Sequence, residues 1–97
     1  MKHIHVHWIH EVLEDPIELY SELDSERNEI RKVEVFRDGR MGFADSAHSS
    51  AGTSLGEMPI PDLDEIAADK QFVPREISEA EFQRVWLAAI KSVPRNS

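Results

Sequence analysis

The sequence predicts an α+β domain: a four-stranded antiparallel sheet with a short helix and a longer C-terminal helix packed on one face. Three observations carry this. Apolar and polar residues alternate with period two over residues 3–10. An Asp-Gly pair at 38–39 joins two runs rich in β-formers. An apolar stripe at helical spacing runs from Phe82 to Val93. The predicted domain covers residues 1–93, with 94–97 as a tail.

The first strand is HIHVHWIH, and IELYSEL at 17–23 is the second. DSERN between this strand and the next reads as a turn. EIRKVEVF and MGFAD then flank RDGR as a hairpin. A two-residue type I′ loop would put Val33, Val35, Gly42 and Ala44 on one side of the sheet. Lys32, Glu34, Phe36, Met41, Phe43 and Asp45 would share the other. Residues 46–57 are small and polar and read as a mobile loop. Pro59 and Pro61 hold MPIP extended. Asp62 caps a short helix over 62–69, with Glu65 at the capping-box position, and QFVP breaks it. Ser78 and Glu81 open the long helix as a second capping box, and Pro94 ends it.

The stripe Phe82, Val85, Trp86, Ala89, Ile90 and Val93 needs a flat apolar surface. Gly42 and Ala44 would let the helix approach, so the expected core is Ile4, Val6, Trp8, Ile17, Leu19, Leu23, Val33 and Val35. Trp8 then points inward beneath the long helix and the histidines face outward.

The 97 residues contain no cysteine, which excludes disulfides, thiolate metal sites and a cysteine nucleophile. No apolar run approaches the ~20 residues of a membrane span, and MKHIHVH lacks the apolar centre of a signal peptide. A cytoplasmic protein is expected. The formal charge of −8 disfavours nucleic acid, whose binders replace phosphate counterions with cations. It suits a basic protein partner.

With the helices on the Val33 side, the opposite face gathers His5, His7, Glu18, Tyr20, Glu22, Glu34, Phe36, Met41 and Phe43. Aromatic residues and Met ringed by charge have the makeup of a protein interface. This set is the expected partner-binding face, with a face-to-face homodimer as another use of it. No cofactor belongs to that reading.

The alternative is a divalent transition metal. His3, His5 and His7 project on one side of a strand, roughly 6.5–7 Å apart, with Glu18 or Glu22 as a third ligand. Histidine at position three of a free N-terminus also suits Cu(II) or Ni(II). The third reading is a small hydrolase near His48, which lies beside Ser46, Ser49, Ser50, Thr53 and Ser54. No G-x-S-x-G elbow is present and AGTSLG lacks the phosphate-loop lysine, so no catalytic residues are assigned. His10 falls on the core side of the alternation and is expected to be a hydrogen-bonded structural residue.

The segments WIHEVLEDPIELYSELD, EIRKVEVFRDGRMGFAD, MPIPDLDEIAAD and EISEAEFQRVW occur in that order. Together they resemble the small bacterial proteins grouped as domain of unknown function 6881. The likeness runs over residues 1 to about 91, and its most specific stretch is Arg31–Gly39. It implies a single-domain bacterial protein and brings no catalytic residues with it. Small acidic proteins of this class include immunity proteins to secreted toxins. The leading reading is therefore a non-enzymatic protein-binding module, in its narrower form an immunity-like inhibitor of a basic toxin.

Overall fold

A computed structural model describes residues 1–50 and 52–92. Its elements are β1 (Lys2–Trp8), β2 (Glu18–Leu23), β3 (Glu29–Val35), β4 (Met41–Ala44), α1 (Leu63–Ala67), β5 (Phe72–Ile77) and α2 (Glu79–Ser92). They form an α+β fold on one antiparallel sheet in the order β4-β3-β2-β1-β5. No helix among the described residues is long and apolar enough to cross a membrane.

The sheet has five strands rather than four. The extra one, β5, contains Pro74, which as a strand-breaker hid it from the sequence reading. Its place explains why proline is tolerated. Ile9 N–H donates to Gln71 O at 2.7 Å, so alternate residues of β5 face β1 and the others face the open edge. Phe72, Pro74 and Glu76 are the outward set. Phe72 N–H is taken by Asp69 O and Pro74 has no N–H, so the edge offers few donors to a passing strand. The β4 edge is covered by its own loop, where Ser50 N–H donates to Phe43 O and Asp45 N–H to His48 O.

The Asp-Gly corner does join two adjacent antiparallel strands, but its loop has three residues, not two. Phe36 N–H donates to Arg40 O at 2.8 Å and Gly39 N–H to Phe36 O at 2.9 Å, with Gly39 at φ +91°. This is a type I turn closed by a positive-φ glycine. Val33 therefore faces Phe43, and Val35 faces Met41. A slip of one residue exchanges the two sides of a strand. Val33 and Val35 share a side with Met41 and Phe43, and Lys32 and Glu34 share the other with Ala44 and Gly42.

The β2–β3 register carries the same consequence. Tyr20 pairs with Val33 and Glu18 with Val35, so the histidine side of β1 and the valine side of β3 are one face. Leu19, Ser21 and Leu23 alternate onto the opposite face, and a bulge in β3 at Ile30 turns Glu29 to that face opposite Leu23. The expected core is thereby split in two. Val33, Ile77, Phe82, Trp86 and Ala89 are buried together, with Tyr20, Val35, Met41, Phe43 and Val85 against them. Ile4, Val6 and Leu23 form a second cluster with Leu19, Ile60, Leu63, Ile66 and Phe72.

The two helices accordingly lie on opposite faces, not on one. α2 covers the histidine face, opposite to expectation, because Val33, Val35, Met41 and Phe43 make that the broader apolar surface. The segment 60–72, including α1, covers the other. Trp8 lies on that second face, stacked on Phe72 at 5.8 Å, and not beneath α2. Ser78 Oγ accepts Glu81 N–H at 3.0 Å as the capping pattern requires. The Glu81 carboxylate turns to Arg75 instead of completing the box. Asp62 makes no side-chain cap. Ile90 is exposed at 41%; Val93, Pro94 and the expected 94–97 tail lie outside the described residues.

Candidate functional site

The histidine row is an internal ionic ladder across β1 and β2. His3 pairs with Glu22, and His7 with Glu18, on adjacent strands. His3 Nε2 donates to Glu22 Oε2 at 2.8 Å, with side-chain exposures of 5% and 8%. The Arg31 guanidinium grips the same carboxylate at both oxygens, at 2.7 and 2.8 Å. It lies over the rings of Phe82 and Trp86, 4.9 Å from each centroid. The Arg31 hydrogen bonds, with His3 adding to them against the cost of burial, pull the Glu22 carboxyl from 4.5 down to about 2.

His5 sits at the middle of a second chain. Arg75 Nε–H donates to His5 Nδ1 at 3.0 Å, so His5 carries its proton on Nε2 and donates it to Glu18. Glu18 also accepts from His7 Nδ1 at 2.5 Å, and Arg75 closes on Glu81 at 2.7 Å. Tyr20 packs against His5, ring centroids 4.6 Å apart and tilted by 31°. Burial, with Glu18 close by, holds its phenol above the ordinary range and therefore protonated at neutral pH.

This geometry bears on each residue expected in a site. Both nitrogens of His5 are used, and among the described residues no group of three or more His, Asp or Glu is placed to hold a metal ion. The row His3, His5 and His7 is therefore not the set of free ligands that the metal reading needs. The imidazole of His7 is held at Nδ1 by Glu18 and is 44% exposed. Its cross-strand neighbours are Glu18 and Val73, and neither is a nucleophile. His48 is 76% exposed, with Nδ1 3.6 Å from Asp45 Oδ1, on the outside of its loop.

The nine residues expected on one open face are divided. His5, His7, Glu18 and Tyr20 stand together, Glu22 is buried beside them, and Met41 and Phe43 pack toward α2, Phe43 edge-on to Trp86 at 5.3 Å. Glu34 and Phe36 point the opposite way: Glu34 accepts Thr53 Oγ1 at 2.7 Å, and Phe36 is buried under Arg40. Glu22 and Phe36 are buried and the other seven are half-buried, with the His7 imidazole the most open of the ion-paired groups among them. His10 is the structural residue it was expected to be. Its Nδ1 accepts Val12 N–H at 3.0 Å and its Nε2 donates to Pro16 O at 2.8 Å.

An apolar concavity lies on the other face, whereas the one of about 260 Å³ beside His3 and Glu22 is polar. A groove of about 370 Å³ runs between the sheet and α1, lined by Ile4, Val6, Leu19, Ile60, Ile66 and Phe72. This is within the ~300–1,000 Å³ of ordinary ligand pockets. Ser21, Glu29 and Lys32 form one side, and Glu65 and Asp69 of the α1 segment the other. The wall at 60–61 is clamped by Arg27, which donates to Ile60 O and Pro61 O at 2.7 Å each. Arg27 sits at φ +66°, a strained value that these bonds and Ile60 N–H to Arg27 O offset.

Sequence reasoning missed the groove because it puts the short helix over 62–69 on the same face as the long one. One signal pointed to it: Ile60, Leu63, Ile66 and Phe72 recur in a segment too short for a core of its own. The loop 46–57, expected to be mobile, has definite attachments here. Thr53 is buried on Glu34, and Gly56 N–H donates to Glu29 Oε1 at 2.7 Å.

No curated protein and no solved structure matches the chain. A family model described as a domain of unknown function, DUF6881, matches residues 2–91, and the chain belongs to that family.

Proposed function

We propose that the chain is a non-enzymatic protein-binding module that receives an apolar segment of a basic partner in the groove between α1 and the sheet. The supporting observation is the contrast between the two faces. On the α2 face the carboxylates and imidazoles bond to one another, leaving His7 Nε2 as the notable open acid–base group. In the groove Leu19, Ile60, Ile66 and Phe72 stay partly open to solvent over the buried Ile4 and Val6, with the exposed carboxylates Glu65 and Asp69 beside them. Neither carboxylate is in an ion pair among the described residues. A segment with one large apolar side chain flanked by Lys or Arg fits both features, and the charge of −8 favours its approach.

The test is selection of displayed random peptides, followed by ¹H–¹⁵N titration of the protein with the enriched sequences. Enrichment of basic-flanked Leu or Phe is expected, with shifts at Ile4, Val6, Leu19 and Ile66. Glu65→Lys with Asp69→Lys leaves the core untouched and should weaken binding roughly ten-fold. Shifts confined to the α2 face would move the binding surface elsewhere, and unchanged affinity in the double variant would remove the acidic rim from recognition.

A further inference from the structure

We propose that the groove reads the C-terminus of its occupant, with the terminal carboxylate on Lys32 and the last apolar side chain on Leu19 and Ile4. This rests on the groove being the binding surface. Lys32 lines it from β3 with a side chain 18% exposed. Its ammonium is 3.1 Å from Glu29 Oε1, its one ion-pair partner among the described residues. An ammonium has three N–H donors, so donors remain on the lysine that lines the groove.

Glu29 is in a different position. Its side chain is 2% exposed. Oε2 accepts Ser21 Oγ at 2.7 Å and Oε1 accepts Gly56 N–H at 2.7 Å. Glu29 is thus committed to the loop and the sheet. It holds the lysine head in place and has no oxygen to turn toward an occupant. Because Glu29 also weakens the field of Lys32, the carboxylate is selected by short hydrogen bonds rather than by long-range attraction.

Chain direction supports a terminus at this point. Residues 53–56 stand over β3, fastened at Thr53 to Glu34 and at Gly56 to Glu29. A strand-like segment that enters from the α1 side and ends beside Lys32 places its carboxylate on the ammonium. From β3 to β1 is two strand spacings, about 10 Å, and α1 lies beyond, over β5. An extended chain covers that in about three residues. The partner is therefore a protein ending in a large apolar residue, with Lys or Arg about three positions upstream toward Glu65 and Asp69.

The experiment is calorimetry with acetyl-Arg-Gly-Leu-Leu as the free acid, the same peptide as its C-terminal amide, and dodecanoate. Each is titrated into wild type, Lys32→Met and Lys32→Arg, with circular dichroism melts as the folding control. The acid should bind wild type at least roughly ten-fold more tightly than the amide. That preference should vanish in Lys32→Met, which keeps the apolar stem, and persist in Lys32→Arg. Equal binding of acid and amide to wild type overturns the C-terminus reading and leaves the groove reading standing. Failure of both peptides removes the two together. Dodecanoate binding without peptide binding overturns the inference in favour of a lipid carboxylate. Should Lys32→Met not fold, the acid–amide comparison on wild type decides alone.

Discussion

Replacing Glu22 with Gln should cost about 3 kcal/mol at pH 7 and much less near pH 2. The side chain is 8% exposed and bound at both oxygens by Arg31, with His3 on Oε2. Its carboxyl is held at about 2 against an ordinary 4.5. A group whose folded value is depressed contributes stability that is complete above its unfolded value and is lost as pH falls through the folded one. The window here is therefore pH 4.5 down to about 2. Over that interval the linkage amounts to ~3 kcal/mol, of which about 1.4 kcal/mol remains at pH 3. Removing one partner of a buried pair costs a similar ~3–5 kcal/mol.

Urea unfolding of wild type and Glu22→Gln, followed by circular dichroism at pH 7, 5, 4, 3 and 2.5, measures the difference directly. The expected gap is constant above pH 5 and narrows steadily below it. Domains of this kind are stable by only ~5–15 kcal/mol, so the variant stays folded at neutral pH with a reduced midpoint. A gap of the same size at pH 7 and pH 2.5 would falsify the assignment of Glu22 as the ladder's ionised anchor. A gap below ~0.5 kcal/mol at pH 7 would place the pair among surface contacts of little worth.

Phe82 is fully buried against His3, Arg31 and Trp86, so Phe82→Ala should cost ~3–5 kcal/mol in chemical denaturation. A loss under ~1.5 kcal/mol would mean that α2 is not held through this residue. Gly39→Ala meets nothing within 4 Å, so its cost is the positive φ alone, ~1–2 kcal/mol. The melting temperature should fall by about 4–8 °C per kcal/mol, and an unchanged melt would mean that Gly39 does not hold a positive φ. Pro74→Thr puts an N–H on the outward edge of β5. Stability should change by less than ~0.5 kcal/mol, while sedimentation velocity shows new self-association; a variant that stays monomeric at high concentration removes the blunting role.

Local signals in the sequence were sound and sidedness was not. The runs forming β1 to β4, the Asp-Gly corner and the Ser78 cap were all legible, because strand alternation, turn residues and caps are written in neighbouring positions. The face each strand presents depends on loop length. One extra residue at Arg37–Gly39 reversed β4 against β3. The histidines misled for a related reason. Read singly, His3 is a polar residue for the wet side of a strand. Opposite Glu22 it is half of a pair that can be buried, and its 5% exposure under Phe82 depends on a partner 19 residues away. Pro74 hid β5 because its harmless position is visible only once the strand order is known. Within the groove, the lining aliphatics of β1 and β2 were recognised as inward-facing, but Lys32 was expected on the far side with Phe36 and Phe43.

Salt separates the two electrostatic parts assigned to the groove. The ladder, the Glu29–Lys32 pair and the Arg75–Glu81 pair neutralise charge internally, so the −8 balance is expressed by exposed carboxylates such as Glu65 and Asp69. Exposed charges act over a Debye length of only ~8 Å at physiological ionic strength. Raising salt from about 50 to 300 mM should therefore slow association of acetyl-Arg-Gly-Leu-Leu several-fold, through loss of attraction between its arginine and the rim. The contact between its carboxylate and Lys32 is direct and lies in a mostly apolar groove, where ions screen little. The ratio of acid to amide affinity should then stay within about two-fold across the same range. Stopped-flow mixing gives the association rate and calorimetry gives the ratio. A ratio that collapses with salt would mean that the carboxylate is drawn by diffuse surface potential and that Lys32 makes no seated contact with it.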